Sequence, residues 1–189
     1  MGRSMRLLKA MCWLGALALP LATLPPAQWD TLTYHLAGPQ TYVAEGRFFA
    51  APHNHFLGFQ QLVDTLYTAQ LALTGRLTGA GPLHFWMGVL ALLMTGSYAA
   101  RVAGRAAGWI AAILLLGAFS VWHEMTFAYA DLLPMALGMG ALAAAEAWDA
   151  GGRRDRRWLV LVGALAGLAM GCKYTVIWLG VALGVLVVW

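Results

Sequence analysis

Leu83-His84-Phe85-Trp86-Met87-Gly88-Val89-Leu90-Ala91-Leu92-Leu93-Met94-Thr95-Gly96-Ser97-Tyr98-Ala99-Ala100 runs without a single Asp, Glu, Lys or Arg until Arg101. A helix needs ~20 mostly apolar residues to cross a ~30 Å hydrocarbon core, with ~17 as the lower limit. This stretch reaches that limit, and five others approach it: Leu7–Pro25, Ala106–Trp122, Leu132–Trp148, Trp158–Cys172 and Tyr174–Trp189. The pattern predicts an all-α, polytopic transmembrane helix bundle of about six spans, forming a single transmembrane domain over residues 1–189.

Composition agrees. Of 189 residues, 61% are hydrophobic and only 11% charged, against about a quarter charged in a soluble domain. Nine tryptophans suit two membrane–water interfaces. The net charge of +4 does not point to nucleic acid, because the basic residues sit in short clusters between apolar runs. Cys12 and Cys172 lie in apolar segments with no metal-type spacing, and read as small buried hydrophobes.

The basic clusters orient the bundle. Arg3, Arg6 and Lys9 precede the first span, Arg101 and Arg105 lie between the second and third, and Arg153, Arg154, Arg156 and Arg157 lie between the fourth and fifth. If the spans alternate, all of these share one side, which the positive-inside rule makes cytoplasmic. The chain is then expected to be a multi-pass protein of the bacterial cytoplasmic (inner) membrane with a cytoplasmic N-terminus. The first span also fits a cleaved signal peptide, but no clean small-x-small site precedes Pro25-Pro26, and a retained helix is preferred. Asp30, Glu45, Asp64, Glu124, Asp131, Arg47, Arg76, Lys173 and all five histidines then fall outside.

Residues 26–82 form an external loop too long for a passive connection. Within it, Phe56–Leu77 reads as an amphipathic helix: Phe59, Leu62, Leu66, Ala69 and Leu73 share one face, with Gln60, Gln61, Asp64 and Thr68 elsewhere. Such a helix commonly lies in the interface plane. Gly163, Gly167 and Gly171, and then Gly180 and Gly184, recur at four-residue spacing, a pattern that lets helix backbones approach closely in lipid.

Several short motifs follow one another in a distinctive order: Trp29-Asp30-x-x-x-Tyr34 just outside the first span, Tyr98-x-x-Arg101-x-x-Gly104, Ala128-Tyr129-Ala130-Asp131, and Gly167-Leu168-Ala169-Met170-Gly171-Cys172-Lys173-Tyr174. In order and topology the chain resembles the N-terminal part of the C-superfamily (GT-C fold) membrane glycosyltransferases, in the protein O-mannosyltransferase and aminoarabinose-transferase-like group. The resemblance implies transfer of a sugar from a polyprenyl-phosphate donor to an unidentified acceptor at the external face of the bilayer. It implies that Asp30 is catalytic. Many members have Asp-Glu where this chain has Asp30-Thr31. Members are also longer, so the chain reads as an N-terminal fragment of such a protein.

Each candidate residue has a plainer reading. Asp30 is the candidate base, or a helix cap. Asp131 is a second acid binding sugar hydroxyls or a cation, or an acid stabilised at a helix N-terminus; Glu124 is a weaker choice for that role. Lys173 binds the substrate phosphate, or snorkels to the interface. His55 contacts the phosphate, and Tyr34, one helical turn from Asp30, orients it. No residue is assigned to a metal, because alternate residues such as His53 and His55 diverge in a strand and do not converge in a helix. No cofactor is expected, with a divalent cation left open by the acids. Two other readings compete: a transporter fragment, which would want polar groups at mid-membrane depth, and a non-catalytic structural membrane protein.

Overall fold

The computed structural model describes residues 13, 15–49 and 52–188. Cys12, Arg3, Arg6, Lys9 and the outer parts of the first and last predicted spans lie outside them. Every regular element among the described residues is helical, so the chain is all-α. Helix α1 covers residues 15–22. A π-helical turn, Thr31–His35, leads into α2, Ala37–Glu45, which stops at Gly46 in the left-handed conformation (φ 65°). A 3-10 turn, His55–Gly58, is capped by the Asn54 side chain accepting from the Phe56 N–H at 3.2 Å, and α3 follows over Leu62–Thr74. Then come α4, Ala80–Ala103, and α5, Arg105–Gly117, with Gly104 at φ 88° between them. Short α6 covers Phe119–Glu124, α7 Leu132–Ala150, α8 Arg156–Cys172 and α9 Ile177–Val188.

Helix α4 with its lead-in turn, Leu77–Ala103, is long and apolar enough to cross a membrane by length and composition. The helices Arg105–Gly117 and Tyr174–Val188 are apolar but shorter. The predicted third stretch, Ala106–Trp122, is not one helix: the backbone becomes extended at Ala118 and divides it into α5 and α6.

Two expectations are corrected. The first concerns the extent of the amphipathic helix: in place of one helix over Phe56–Leu77 there is a 3-10 turn at His55–Gly58 and then α3 over Leu62–Thr74. Its apolar stripe faces outward, as in an interfacial helix, with Leu66 38% and Leu73 87% exposed, while Val63, Asp64, Tyr67 and Thr68 are buried. The interior opposite α3 holds polar partners, so burying the polar stripe satisfies hydrogen bonds that an apolar stripe would leave unmade. The second concerns the glycine rows. A Cβ on Gly163, Gly167 or Gly184 would meet nothing within 4 Å. Helix α8 instead turns Val162, Ala166 and Ala169 inward, where the first two pack with Ala141, Ala144 and Ala145 of α7.

Close approach occurs elsewhere. A Cβ on Gly108 of α5 would lie 2.6 Å from the Gly96 carbonyl oxygen of α4, and one on Gly81 would lie 2.1 Å from the Ala22 carbonyl oxygen. These glycines let α4 touch α5 and α1 backbone to backbone. Arg101 of α4 pairs with Glu146 of α7 at 3.0 Å, which ties those two helices together.

Gly108→Val should therefore force α4 and α5 apart. We expect a loss of about 1–3 kcal/mol, the usual cost of overpacking, visible as a lower midpoint of thermal unfolding in detergent. Gly163→Val should leave that midpoint nearly unchanged.

Candidate functional site

The segment between α6 and α7 leaves regular structure, and three buried side chains from three elements capture its carbonyls. His84, at the start of α4, directs Nδ1 at the carbonyl oxygens of Glu124 (2.9 Å) and Phe127 (2.8 Å); carbonyls only accept, so Nδ1 carries the hydrogen. Thr31 donates to the Ala128 carbonyl at 2.8 Å, and the Tyr67 hydroxyl of α3 donates to the Tyr129 carbonyl. These bonds bring the Thr31–His35 turn, α3 and the Tyr129–Asp131 stretch into one place.

Where they meet with the end of α8, a cavity of about 200 Å³ opens. Asp30, Tyr34, His35, Asp64, Asp131 and Lys173 all line it. Four of the five residues singled out from sequence thus share one cavity: Asp30, Tyr34, Asp131 and Lys173. His55 does not. It is exposed and packs its ring on Phe56 at 4.1 Å, outside the lining.

Neither sequence-predicted acid is used as a helix cap. Asp30 has helical backbone angles and makes no side-chain capping bond. Its charge instead acts on the Tyr34 and Tyr129 hydroxyls. Asp131 also makes no side-chain capping bond to α7 and pairs with Lys173. Lys173 has left the helical conformation at the end of α8 (φ −155°), which sets its ammonium beside that carboxylate rather than along the helix.

The site also contains a pair that sequence reading did not assign. His35 Nδ1 lies 2.7 Å from Asp64 Oδ1, and the two side chains are only 7% and 4% exposed. The His35 ring packs on Tyr34 at 4.2 Å and faces Tyr129 at 5.6 Å between centroids. The signal for Asp64 was its place on the polar stripe of α3, but the inward direction of that stripe is a tertiary fact. Tyr129 stood in a quoted motif without a role.

Two of the three lining carboxylates are therefore matched by basic groups, whereas Asp30 is matched by phenol hydroxyls. The hydroxyls respond. Burial first, and the Asp30 charge second, push the Tyr34 hydroxyl well above its ordinary range, and the same causes raise Tyr129. Both remain neutral donors. Burial, with the Asp131 charge, raises the Glu124 carboxyl to about 7, although Lys173 partly offsets this. No group of three or more His, Cys, Asp or Glu side chains with metal-binding geometry occurs among the described residues.

No protein-family model, curated protein or solved structure matches the chain.

The Glu124 shift has a definite sign. The folded state keeps a proton that the unfolded chain releases near 4.5. The resulting stabilisation is fully present at acid pH and is lost as pH rises from 4.5 to about 7. Melting temperature measured against pH should show this decline in the wild type and lack its Glu124 component in Glu124→Gln.

Proposed function

We propose that this protein is a membrane-embedded glycosyltransferase that takes a sugar from a polyprenyl-phosphate donor and works at the membrane face carrying the cavity. The reading is carried by one observation: Asp30, Asp131 and Lys173, far apart in sequence, line a single cavity together with Tyr34. A second cavity of about 370 Å³ shares Asp131 and Lys173 with the first and continues between α7 and α9 along Pro134, Met135, Gly138, Met139, Val176 and Leu179. A polar chamber with a cation at its edge and an apolar groove beyond suits a lipid phosphate, with the head in one and the tail in the other.

In this reading Lys173 neutralises the departing phosphate, a charge that grows as the glycosidic bond breaks. Its resting partner Asp131 holds the ammonium in place until the phosphate arrives. Asp30 is the catalytic carboxylate and engages the acceptor hydroxyl, with Tyr34 and Tyr129 fixing its direction. His55 falls outside the lining and has no part in this scheme.

The same proposal includes about six spans, of which α4 with its lead-in turn has the length and composition for a crossing and the helices Arg105–Gly117 and Tyr174–Val188 are shorter, with the Arg153–Arg157 side cytoplasmic. It is supported by the exposed apolar belt. Leu93 on α4, Leu114 on α5, Val160 on α8 and Trp178 on α9 are 61%, 68%, 72% and 76% exposed, side chains that water would disfavour and lipid would not. Single cysteines at position 48, in the external loop, and at position 154 should react with a membrane-impermeant maleimide from opposite sides of intact cells. Labelling of both from the same side would rule out this topology.

The chemistry is tested with the chain in lipid nanodiscs and a panel of polyprenyl-phosphate-linked mannose, glucose and aminoarabinose, scoring release or transfer of the labelled sugar. At least one donor should be consumed. Asp30→Asn should slow turnover by about 10²–10³-fold, the usual cost of losing one positioned group that stabilises charge in the transition state, and Lys173→Met should raise the donor KM. Unchanged turnover in Asp30→Asn would remove Asp30 from the mechanism.

A further inference from the structure

Resting on the transferase reading, we infer that the His35–Asp64 pair is the proton acceptor of the cavity, with His35 as the group that receives the acceptor's proton and Asp64 as its positioning residue. A buried carboxylate beside a histidine can serve only to tie two elements together. Three observations go further than that.

First, the direction of the hydrogen bond leaves one nitrogen free. An ionised Asp64 only accepts, so His35 Nδ1 carries the hydrogen and Nε2 of the neutral ring carries a lone pair. No described group is hydrogen-bonded to Nε2, nor is that atom among the buried polar atoms lacking a partner. His35 is itself a lining residue of the cavity, so a free Nε2 is the edge of the ring left for an acceptor there.

Second, the ring cannot easily turn away. Asp64 holds one edge at 2.7 Å, and Tyr34 and Tyr129 lie against it. A carboxylate that fixes the imidazole tautomer and stabilises the imidazolium formed on proton uptake is the arrangement of Asp–His catalytic pairs in general.

Third, Asp30 has different neighbours. It lines the same cavity beside Tyr34, and no ion pair to it occurs among the described residues, whereas Asp64 and Asp131 each have a basic partner. That placement suits it to hold the acceptor hydroxyl and to face the positive charge that develops on the sugar.

The step then balances as follows. The acceptor oxygen forms a bond to the anomeric carbon. The bond from that carbon to the phosphate oxygen breaks, and its electron pair leaves on the phosphate beside Lys173. The acceptor's proton passes to His35 Nε2, and the imidazolium so formed is held by Asp64 until it loses the proton to water.

The test uses the full chain in nanodiscs with the same donor panel. His35→Gln and Asp64→Asn should each lower kcat by at least about 100-fold with donor KM within about twofold. The double variant H35Q/D64N can rebuild the tie as an amide–amide hydrogen bond but cannot accept a proton. It should unfold at a temperature close to the wild type and remain inactive. Recovered turnover in the double variant, or wild-type turnover in His35→Gln, would show a structural tie and overturn the inference while leaving an Asp30-dependent transferase intact. A wild-type chain that consumes no donor would instead bring down the transferase reading and this inference together. Diethyl pyrocarbonate supplies a readout that needs no turnover. It should modify His35 as well as the exposed His53 and His55, and an unmodified His35 would mean that Nε2 is closed to the cavity.

Discussion

Three side-chain donors captured by one irregular stretch of backbone organise this molecule. Between α6 and α7 the chain presents carbonyl oxygens that no helix can satisfy, and Phe127, Ala128 and Ala130 around them are buried. An unpaired carbonyl in such a place costs about 1–3 kcal/mol. His84, Thr31 and Tyr67 meet that need from α4, the Thr31–His35 turn and α3. Each bond also fixes where its own element sits. The site's geometry is thus a by-product of satisfying backbone groups, and the cavity is formed where the three tethered elements fail to close on the end of α8.

The charges around that cavity follow the same economy of partners. Lys173 and Asp131 come from the far end of one helix and the near end of another, and they meet because α7 and α8 pack along their alanine faces. His35 and Asp64 meet because α3 turns its polar stripe inward. Asp30 has no ion-pair partner among the described residues and sits near neutral phenols instead. A low-dielectric surrounding makes each of these pairings stronger and each omission more costly.

How far this was legible in sequence differs from element to element. The apolar run over Leu83–Ala100 became the body of α4 because length and composition act locally. Asp30 was singled out by the resemblance of its motif, Tyr34 by its spacing from Asp30, and Asp131 and Lys173 as lone charges at the ends of apolar runs; these four do come together. His55 was singled out from a cluster of polar residues in the external loop and does not join them, since its ring packs on Phe56. The α3 stripe and the glycine rows were read by spacing alone. Spacing reports which residues share a face, not which face finds a partner.

Local pattern and composition by themselves determined that this chain is helical, where its apolar stretches run, and which scattered ionisable residues lie at their ends. Those properties depend on neighbours three or four positions away and on the balance of apolar to charged residues. Only the tertiary structure decided that Asp64 belongs with His35, that Tyr129 belongs near Asp30, and that Gly81 and Gly108 rather than the regular glycine rows mark the close backbone crossings. Those choices link residues tens of positions apart. They are set by which buried donors and acceptors can be satisfied together, a condition on the whole packed chain.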